Sequence, residues 1–244
     1  MHYSEYCMKG TRYVISPTGD IRFYDDLRKV SKLHRRFLTY VENMPRKRLP
    51  LQYLILKRCI DLLGAMIGLL CCLFPFLVII IAIKFDSAGS PFYRQARVGK
   101  NGKVFKIIKF RTMFKDAESR TGPVWAAQSD PRLTKVGRFL RRTKLDELPQ
   151  LINVLLGQMS LVGPRPERPE FVLRFVEIMP AYDRRHEIKP GLTGLAQLYQ
   201  GYDDSANSVY RKLRWDIKYM EKMGLKMDIR LIFKTISVLL RGKV

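Results

Sequence analysis

Histidine is scarce in this 244-residue chain, which contains only His2, His34 and His186. That scarcity argues against a multi-histidine metal centre and against a Ser-His-Asp triad. The four cysteines, Cys7, Cys59, Cys71 and Cys72, show no metal-ligand spacing. Two of them sit in an apolar run as small hydrophobes, so neither a zinc site nor a disulfide framework is expected. Acidic residues are also few, 22 against 45 Lys and Arg, for a formal net charge of +23. Polar chemistry therefore falls to a small set of carboxylates. A charge this extreme narrows the partners to nucleic acid, phosphorylated metabolites or an anionic membrane surface, and composition does not choose among them. A hydrophobic fraction of 47% excludes wholesale disorder, and the length suits one ordinary domain plus an extension.

Charge is missing altogether from Leu62 to Ile83. The run is nominally long enough to cross a bilayer core of about 30 Å, and it starts too far into the chain for a cleavable signal peptide. Pro75 lies near its middle, where a missing backbone donor and a ring clash should break the helix. Each arm then holds roughly a dozen residues, about 16 to 18 Å of helix. Both flanks are basic, with Lys57 and Arg58 before and Lys84, Arg94, Arg97 and Lys100 after. Positive residues stay on the cytoplasmic side, which favours a re-entrant helix-break-helix over a kinked full span or a buried core helix.

Against this basic background the segment Lys144-Leu145-Asp146-Glu147-Leu148-Pro149-Gln150 stands out. Two adjacent carboxylates lie among Arg138, Arg141, Arg142, Lys144 and Arg165, surroundings that attract a polyanion and keep a carboxylate ionised. The acids have three chemical options here: nucleophile, proton carrier or metal ligand. Pro149 suits a first helical turn, so a helix is expected from Pro149 to about Leu156, ending near Gly157. The pair would flank its N-terminus, where N–H groups favour phosphate. A competing reading makes Thr143-x-x-Asp146 a capping box, and the local sequence leaves both open.

Elsewhere, Tyr13 to Tyr24 reads as two extended runs around Pro17-Thr18-Gly19-Asp20. Leu27, Val30, Leu33, Phe37, Leu38 and Val41 recur at helical spacing in a basic amphipathic helix, either packed on the domain or lying at a membrane interface. Pro91 to Phe110 alternates as a hairpin around Gly99-Lys100-Asn101-Gly102. The phosphate-loop pattern is absent there. Lys109 and Arg111 are candidate phosphate contacts, with solvated strand-end charges as the alternative. Ala117 to Asp130 reads as a polar loop, and Leu133 to Arg142 as a short basic helix. In Val162-Gly163-Pro164-Arg165-Pro166-Glu167 two prolines stiffen the loop around Arg165, whose guanidinium can grip phosphate oxygens bidentately. Lys189 to Gly194 is a compact turn. Ile229, Ile232, Phe233, Ile236, Leu239 and Leu240 form an apolar stripe on a C-terminal helix, interfacial or docked.

The ordered set Lys57-Arg58-x-x-Asp61, Pro91-x-x-Tyr93-Arg94-Gln95-x-Arg97-x-Gly99, Lys109-Phe110-Arg111-Thr112-Met113, Leu145-Asp146-Glu147-Leu148-Pro149-Gln150-Leu151-x-Asn153-Val154-Leu155, Met159 to Pro166 and Lys189 to Gly194 closely resembles the monotopic phosphoglycosyl transferases. That bacterial sugar transferase family starts membrane glycan assembly on a polyprenyl phosphate, and the match runs from about Lys57 to Val244. The resemblance implies a fold that is mainly α with a small β-hairpin. A re-entrant membrane helix-break-helix and interfacial amphipathic helices would accompany a compact cytosolic catalytic domain. It divides the chain into a basic N-terminal extension (1–56), the re-entrant membrane helix (57–86) and a cytosolic, membrane-associated catalytic domain (87–244). The stretch before Lys57 is too short for the extra membrane bundle of larger relatives, which implies the small form.

By the same resemblance Asp146 is the nucleophile and Glu147 its partner, orienting a metal or handling a proton on the incoming phosphate. Both would touch Mg²⁺, a cation that prefers carboxylate and phosphate oxygens. Lys109, Arg111, Arg141 and Arg165 would bind substrate phosphate, and Pro75 would set the membrane break. The implied substrates are a UDP-sugar and undecaprenyl phosphate, with UMP released. The implied location is the cytoplasmic face of the bacterial inner membrane, among anionic lipids, and a homodimer is left open. One departure is Phe74, where the family often places Ser before the proline, so the freed backbone group needs another partner. The rival is a non-catalytic anionic-lipid or nucleic-acid binding protein. No nucleic-acid motif supports it, and basic residues flanking a membrane segment suit headgroups better than a DNA groove.

Overall fold

The computed structural model describes residues 4–8, 11–15, 32–115, 117, 130–200 and 206–241. In chain order they form β1 (Ser4–Met8), β2 (Thr11–Ile15), α1 (Lys32–Asn43), α2 (Leu51–Cys71), α3 (Leu73–Asp86), β3 (Phe92–Val98) and β4 (Val104–Phe110). There follow α4 (Lys135–Thr143), a single turn (Leu145–Glu147), α5 (Gln150–Leu155), β5 (Ser160–Val162), α6 (Pro169–Ile178) and a 3₁₀ segment (Pro180–Glu187). Last come β6 (Gly191–Thr193), α7 (Leu195–Tyr199), α8 (Ala206–Lys222) and α9 (Leu225–Leu240). The chain is mostly helical with small two-stranded sheets, as the sequence implies.

The uncharged run folds as α2 and α3, which meet at a 60° bend, and among the described residues no single helix is long and apolar enough to cross a membrane. The break falls at Cys72 rather than at Pro75, which is the third residue of α3. The proline ring collides with the carbonyl four residues earlier, and that carbonyl belongs to Cys71, the last residue of α2. In the first turn of α3 the missing N–H costs nothing, because that donor has no partner inside the helix. Outward from this pair point Leu63, Leu70, Leu73, Phe74, Leu77, Ile81 and Phe85.

The inner side of α2 is bolted to the rest of the chain. Arg58 donates to the carbonyls of Val154 (2.7 Å) and Leu155 (2.9 Å) at the C-terminal end of α5. Asp61 accepts from Ser160 Oγ and from Leu161 N, both at 2.9 Å. Lys57 pairs with Asp228 of α9 at 3.0 Å and donates to the Val162 carbonyl at 3.2 Å. Close approach is possible because a side chain at Gly64 would meet Leu161 Cδ1 at 2.6 Å.

The expected hairpin is β3 and β4, antiparallel, with Tyr93 opposite Lys109 and Arg97 opposite Phe105. Its turn uses positive φ at Asn101 (57°) and Gly102 (72°), the chemistry that Asn-Gly supplies. At the N-terminus β2 pairs antiparallel with β1, Ser4 opposite Ile15. The expected partner across Pro17 to Asp20 falls among residues 16–31, outside the described residues, as does nearly all of the loop from Ala117 to Asp130. Strands β5 and β6 form a parallel pair that brings Val162 beside Thr193.

Helix α1 is docked. Val41 is fully buried, and Phe37 and Leu38 pack with it against Phe171, Val172, Phe175 and Leu213. Of the two readings open for this helix, packing on the domain is the one found for the described part; Leu27 and Val30 lie outside it. In α9 the expected stripe faces outward at Ile229, Phe233, Ile236 and Leu239 and packs inward only at Ile232 among its described side chains, while Leu231, outside the stripe, is buried with Tyr53, Val162 and Leu195. A further cluster, Ile79, Ile83, Phe110 and Leu140, joins α3, β4 and α4 and receives Leu145 and Leu148. Each fully buried Leu or Phe there contributes about 1.5–3 kcal/mol.

Candidate active site

The carboxylate pair sits where one helix stops. Helix α4 begins at Thr134, whose hydroxyl accepts from Gly137 N, and ends at Lys144 in the left-handed region (φ 58°). Leu145 and Leu148 anchor the following turn in the α3–β4–α4 cluster, and Asp146 and Glu147 ride between them. The Thr143 hydroxyl donates back to the carbonyls of Phe139 (2.9 Å) and Leu140 (3.2 Å), so it caps nothing ahead of it and the capping-box reading is overturned. Helix α5 starts close to its expected position but has only six residues. Its dipole is small, and charged side chains carry the electrostatics instead.

Glu147 is held from two directions. Lys109, near the end of β4, donates to Oε1 at 2.8 Å. Arg165 takes both oxygens, Nη1 to Oε2 at 3.0 Å and Nη2 to Oε1. Burial alone would raise the Glu147 pKa, but Arg165 and Lys109 outweigh it and hold the carboxyl well below its ordinary range. Fully buried Asn153 sets the register of this contact. It accepts from Ile108 N (3.0 Å) and donates to the Lys106 carbonyl (2.9 Å), fastening α5 to β4 on the stretch just before Lys109.

Asp146 differs from its neighbour. It is 6% exposed, and no hydrogen bond to its carboxylate occurs among the described residues. Burial pushes its pKa up, and Glu147 pushes the same way; Lys109, Arg165 and Arg141 pull against them. The result is a more basic carboxylate with open oxygens inside a ring of cations, which are the attributes of an attacking group.

Of the residues singled out from sequence, Asp146, Glu147, Lys109 and Arg165 come together, and Arg141 lies close enough to act on Asp146 electrostatically. Arg111 does not join them. Beyond the last residue of β4 its guanidinium turns to the Ser87 carbonyl (2.6 Å), the Ser87 hydroxyl (2.9 Å) and the Ala88 carbonyl (2.7 Å), clamping the exit of α3. Among the described residues no group of three or more His, Cys, Asp or Glu gathers as a metal cage. The open oxygens of Asp146 suit a cation such as Mg²⁺ that completes its shell with water and substrate phosphate. Glu147 could contribute only by releasing a cation it already holds.

Sequence reasoning missed Asn153 as a spacer, and missed the buried charges behind Arg165. Glu167 pairs with Lys212, and with Arg97 at 3.5 Å, while Arg185 pairs with Asp216 at 2.8 Å. Burial would raise Glu167, yet Lys212, Arg97 and Arg185 lower its pKa to about 2. Lys109, Arg165, Arg97, Lys212 and Arg185 thus lie with Glu147, Glu167 and Asp216 in one largely buried region of paired charges.

A bent helix pair with outward apolar residues, a clamped Glu147 and an open Asp146 thus meet in one region of the chain. The sequence profile described as bacterial sugar transferase matches residues 52–242, and the chain belongs to that family. It is 40% identical over 190 residues to UDP-N-acetylgalactosamine-undecaprenyl-phosphate N-acetylgalactosaminephosphotransferase of Aeromonas hydrophila, covering 78% of this chain and 45% of that one. Exopolysaccharide production protein PSS of Rhizobium leguminosarum bv. phaseoli is 42% identical over 198 residues, 78% of this chain and 98% of that one. UDP-glucose:undecaprenyl-phosphate glucose-1-phosphate transferase of Escherichia coli (strain K12) is 41% identical over 184 residues, 75% of this chain and 39% of that one. The chain therefore spans less than half of the Aeromonas and Escherichia proteins and nearly all of the Rhizobium one.

Proposed function

We propose that this chain transfers a sugar-1-phosphate from a UDP-sugar to undecaprenyl phosphate, releasing UMP, as the first membrane step of polysaccharide or glycoconjugate synthesis. The observation that carries the reading is the contrast inside the dyad: Glu147 has its charge consumed by Lys109 and Arg165, and Asp146 has none of its oxygens occupied among the described residues. The names of the relatives agree with it.

In the first step an Asp146 oxygen attacks the β-phosphorus of the UDP-sugar. The bond from that phosphorus to the bridging oxygen breaks, and UMP leaves with the electron pair. The sugar-phosphate is then an acyl phosphate on Asp146. In the second step a terminal oxygen of undecaprenyl phosphate attacks the same phosphorus, the acyl P–O bond breaks, and the Asp146 carboxylate is restored. Splitting the exchange in two is the usual gain of a covalent nucleophile. Arg165, Lys109 and Arg141 spread the charge that makes a carboxylate a poor attacker of a diphosphate, and Glu147 fixes two of those cations in place. Mg²⁺ would be held at Asp146, with Glu147 joining only by giving up Lys109 or a contact to Arg165, and when bound it would supply charge neutralisation at the phosphate oxygens.

The bent pair α2–α3 is proposed to dip into the cytoplasmic leaflet of the bacterial inner membrane and return, residues 87–244 staying on the cytoplasmic side and 1–56 forming a basic extension. Its outward apolar residues and its basic flanks support this. The outward edge of α9 is proposed to rest at the interface among anionic lipids.

The test is release of UMP from a panel of UDP-sugars by the full chain without lipid acceptor, with peptide mass spectrometry of the product. A burst of one UMP per chain and a phosphosugar on Asp146 are expected. Asp146→Asn should remove both and lower turnover by about 10⁴-fold or more. Formation of lipid product without a prior burst or adduct would replace covalent exchange with direct transfer.

A further inference from the structure

The loop that carries Arg165 has an unusual backbone problem. Pro164 and Pro166 supply no N–H, so the loop cannot pair with itself, and its carbonyls have to find donors elsewhere. They do so one by one. The Val162 carbonyl accepts from Lys57 and Tyr219, both at 3.2 Å, the Pro164 carbonyl from Gly191 N at 2.8 Å, and the Glu167 carbonyl from Val98 N at 2.9 Å. The Pro166 carbonyl accepts from Arg97 Nη1 at 3.0 Å. The carbonyl of Arg165 itself accepts from Arg185 Nη2 at 2.7 Å.

Arg185 is 2% exposed and comes from the 3₁₀ segment, 20 residues further along the chain. Its Nη2 also lies 2.8 Å from Asp216 Oδ2 on α8, its Nη1 donates to the Tyr182 hydroxyl, and its guanidinium lies 4.9 Å from the centre of the Tyr182 ring. A buried Arg–Asp pair gives little net stability compared with apolar residues of the same shape. The contact with Asp216 is an ion pair without hydrogen-bond geometry, and it is the bond from Nη2 that fixes the guanidinium against one peptide carbonyl, that of the residue whose side chain grips Glu147.

We infer that Arg185 is a positioning residue for transfer, fixing the backbone of Arg165 so that its side chain is held at Glu147 and beside Asp146. This rests on the proposed function. The chain of contact runs from Asp216 to Arg185, to the Arg165 carbonyl, to the Arg165 side chain, to Glu147. Arg185 touches no reacting atom and acts only through Arg165.

Two variants test it in the full chain in nanodiscs. Arg185→Lys keeps the charge but cannot reach Asp216 and the carbonyl together. Arg185→Met with Asp216→Leu removes both charges of the pair together, so that Asp216 is not left buried without Arg185. Both should lower kcat for UMP release by roughly 10- to 100-fold, the scale of a small misplacement of a catalytic group. In an Arg165→Ala background the same changes should alter the residual rate by less than about twofold. Effects that multiply in that background, or a normal rate in the double variant, would overturn the inference, since a merely structural residue acts independently of Arg165. A second readout needs no turnover: side-chain ¹⁵N relaxation should show the Arg165 Nε–H ordered in the unaltered chain and mobile in Arg185→Lys, and equal order in both would also overturn it. Failure of the unaltered chain to release UMP from any UDP-sugar would count against the proposed function, leaving the relaxation data to decide the positioning.

Discussion

Two regions of this protein invert the usual relation to water, in opposite directions. Along α2 and α3 large apolar residues face outward, with Phe74 75% and Phe85 89% exposed. Around the Arg165 loop the charges face inward, with Arg185, Asp216, Glu147 and Glu167 withdrawn from solvent. Exposed apolar surface is unfavourable in water and acceptable in lipid. Buried charges are tolerated where they are paired. The outward apolar face is the surface proposed to meet hydrocarbon, and the paired charges surround the site proposed to meet phosphate. The two regions meet at Lys57 and Asp61, where the apolar helix turns polar side chains to the strand leading into the Arg165 loop.

The sharpest break of this arrangement is at that junction. Lys57→Met leaves Asp228 buried with, among the described residues, the hydroxyls of Tyr53 (2.9 Å) and Tyr219 (2.6 Å) to satisfy it. Removing one partner of a buried pair costs about 3–5 kcal/mol, and the two tyrosines place the expected loss near the lower end, about 3 kcal/mol. Denaturant unfolding in detergent measures it, and a change below about 1 kcal/mol would mean that the helix pair and the catalytic region are not joined through this contact.

Next in size is the phosphate region itself. Arg165→Ala removes the bidentate donor from Glu147 and a cation from beside the proposed phosphate position. Loss of one such preorganised donor costs roughly 10²- to 10³-fold in kcat. Initial rates of UMP release check this, with unfolding curves showing the apolar pair undisturbed. Equal losses of activity and stability would collapse the distinction between the two regions.

The inward charges also predict an acid limit. Glu167 falls from an ordinary 4.5 to about 2 because Lys212, Arg97 and Arg185 overcome its burial. A folded-state pKa below the unfolded one adds stability that is complete above about 4.5 and is lost as pH falls toward about 2, ~3 kcal/mol in all. Unfolding measured between pH 6 and pH 2.5 should show this loss, and Glu167→Gln should flatten the curve over the same window.

Much of the site was legible because local chemistry determined it. Asn101-Gly102 announces its turn, Pro75 its break, and the adjacent acids of Asp146-Glu147 stand out in a basic chain. Physical context beyond the window decided the rest. The break moved to Cys72 because the proline ring clashes four residues back, and Arg111 was diverted by Ser87 and Ala88, carbonyls made available only where α3 ends. Strands β5 and β6 are three residues each, too short for any alternation to register. Arg185 was invisible: within Arg184-Arg185-His186 it reads as one charge of a solvated run. The Arg165 carbonyl, Tyr182 and Asp216, brought together by the fold, turn it inward.

The smallest effect concerns the outward edge of α9, which separates a surface merely left over from one used against lipid. Phe233 is 68% exposed between Ile229 and Ile236, while Leu231 on the inner side is buried against Tyr53 and Val162. Phe233→Ser should leave the fold intact, because no packing is lost, and should weaken association with vesicles of mixed neutral and anionic lipid. A fully buried Phe is worth about 1.5–3 kcal/mol, and a ring resting at an interface gives less, about 1 kcal/mol. With α2 and α3 placed in the bilayer as proposed, the loss should show as easier extraction by high salt or alkali, not as complete release. Leu231→Ser should behave in the opposite way, costing stability without changing extraction. If both substitutions altered only stability, the edge of α9 would belong with the packed core, and only α2 and α3 would carry the outward inversion.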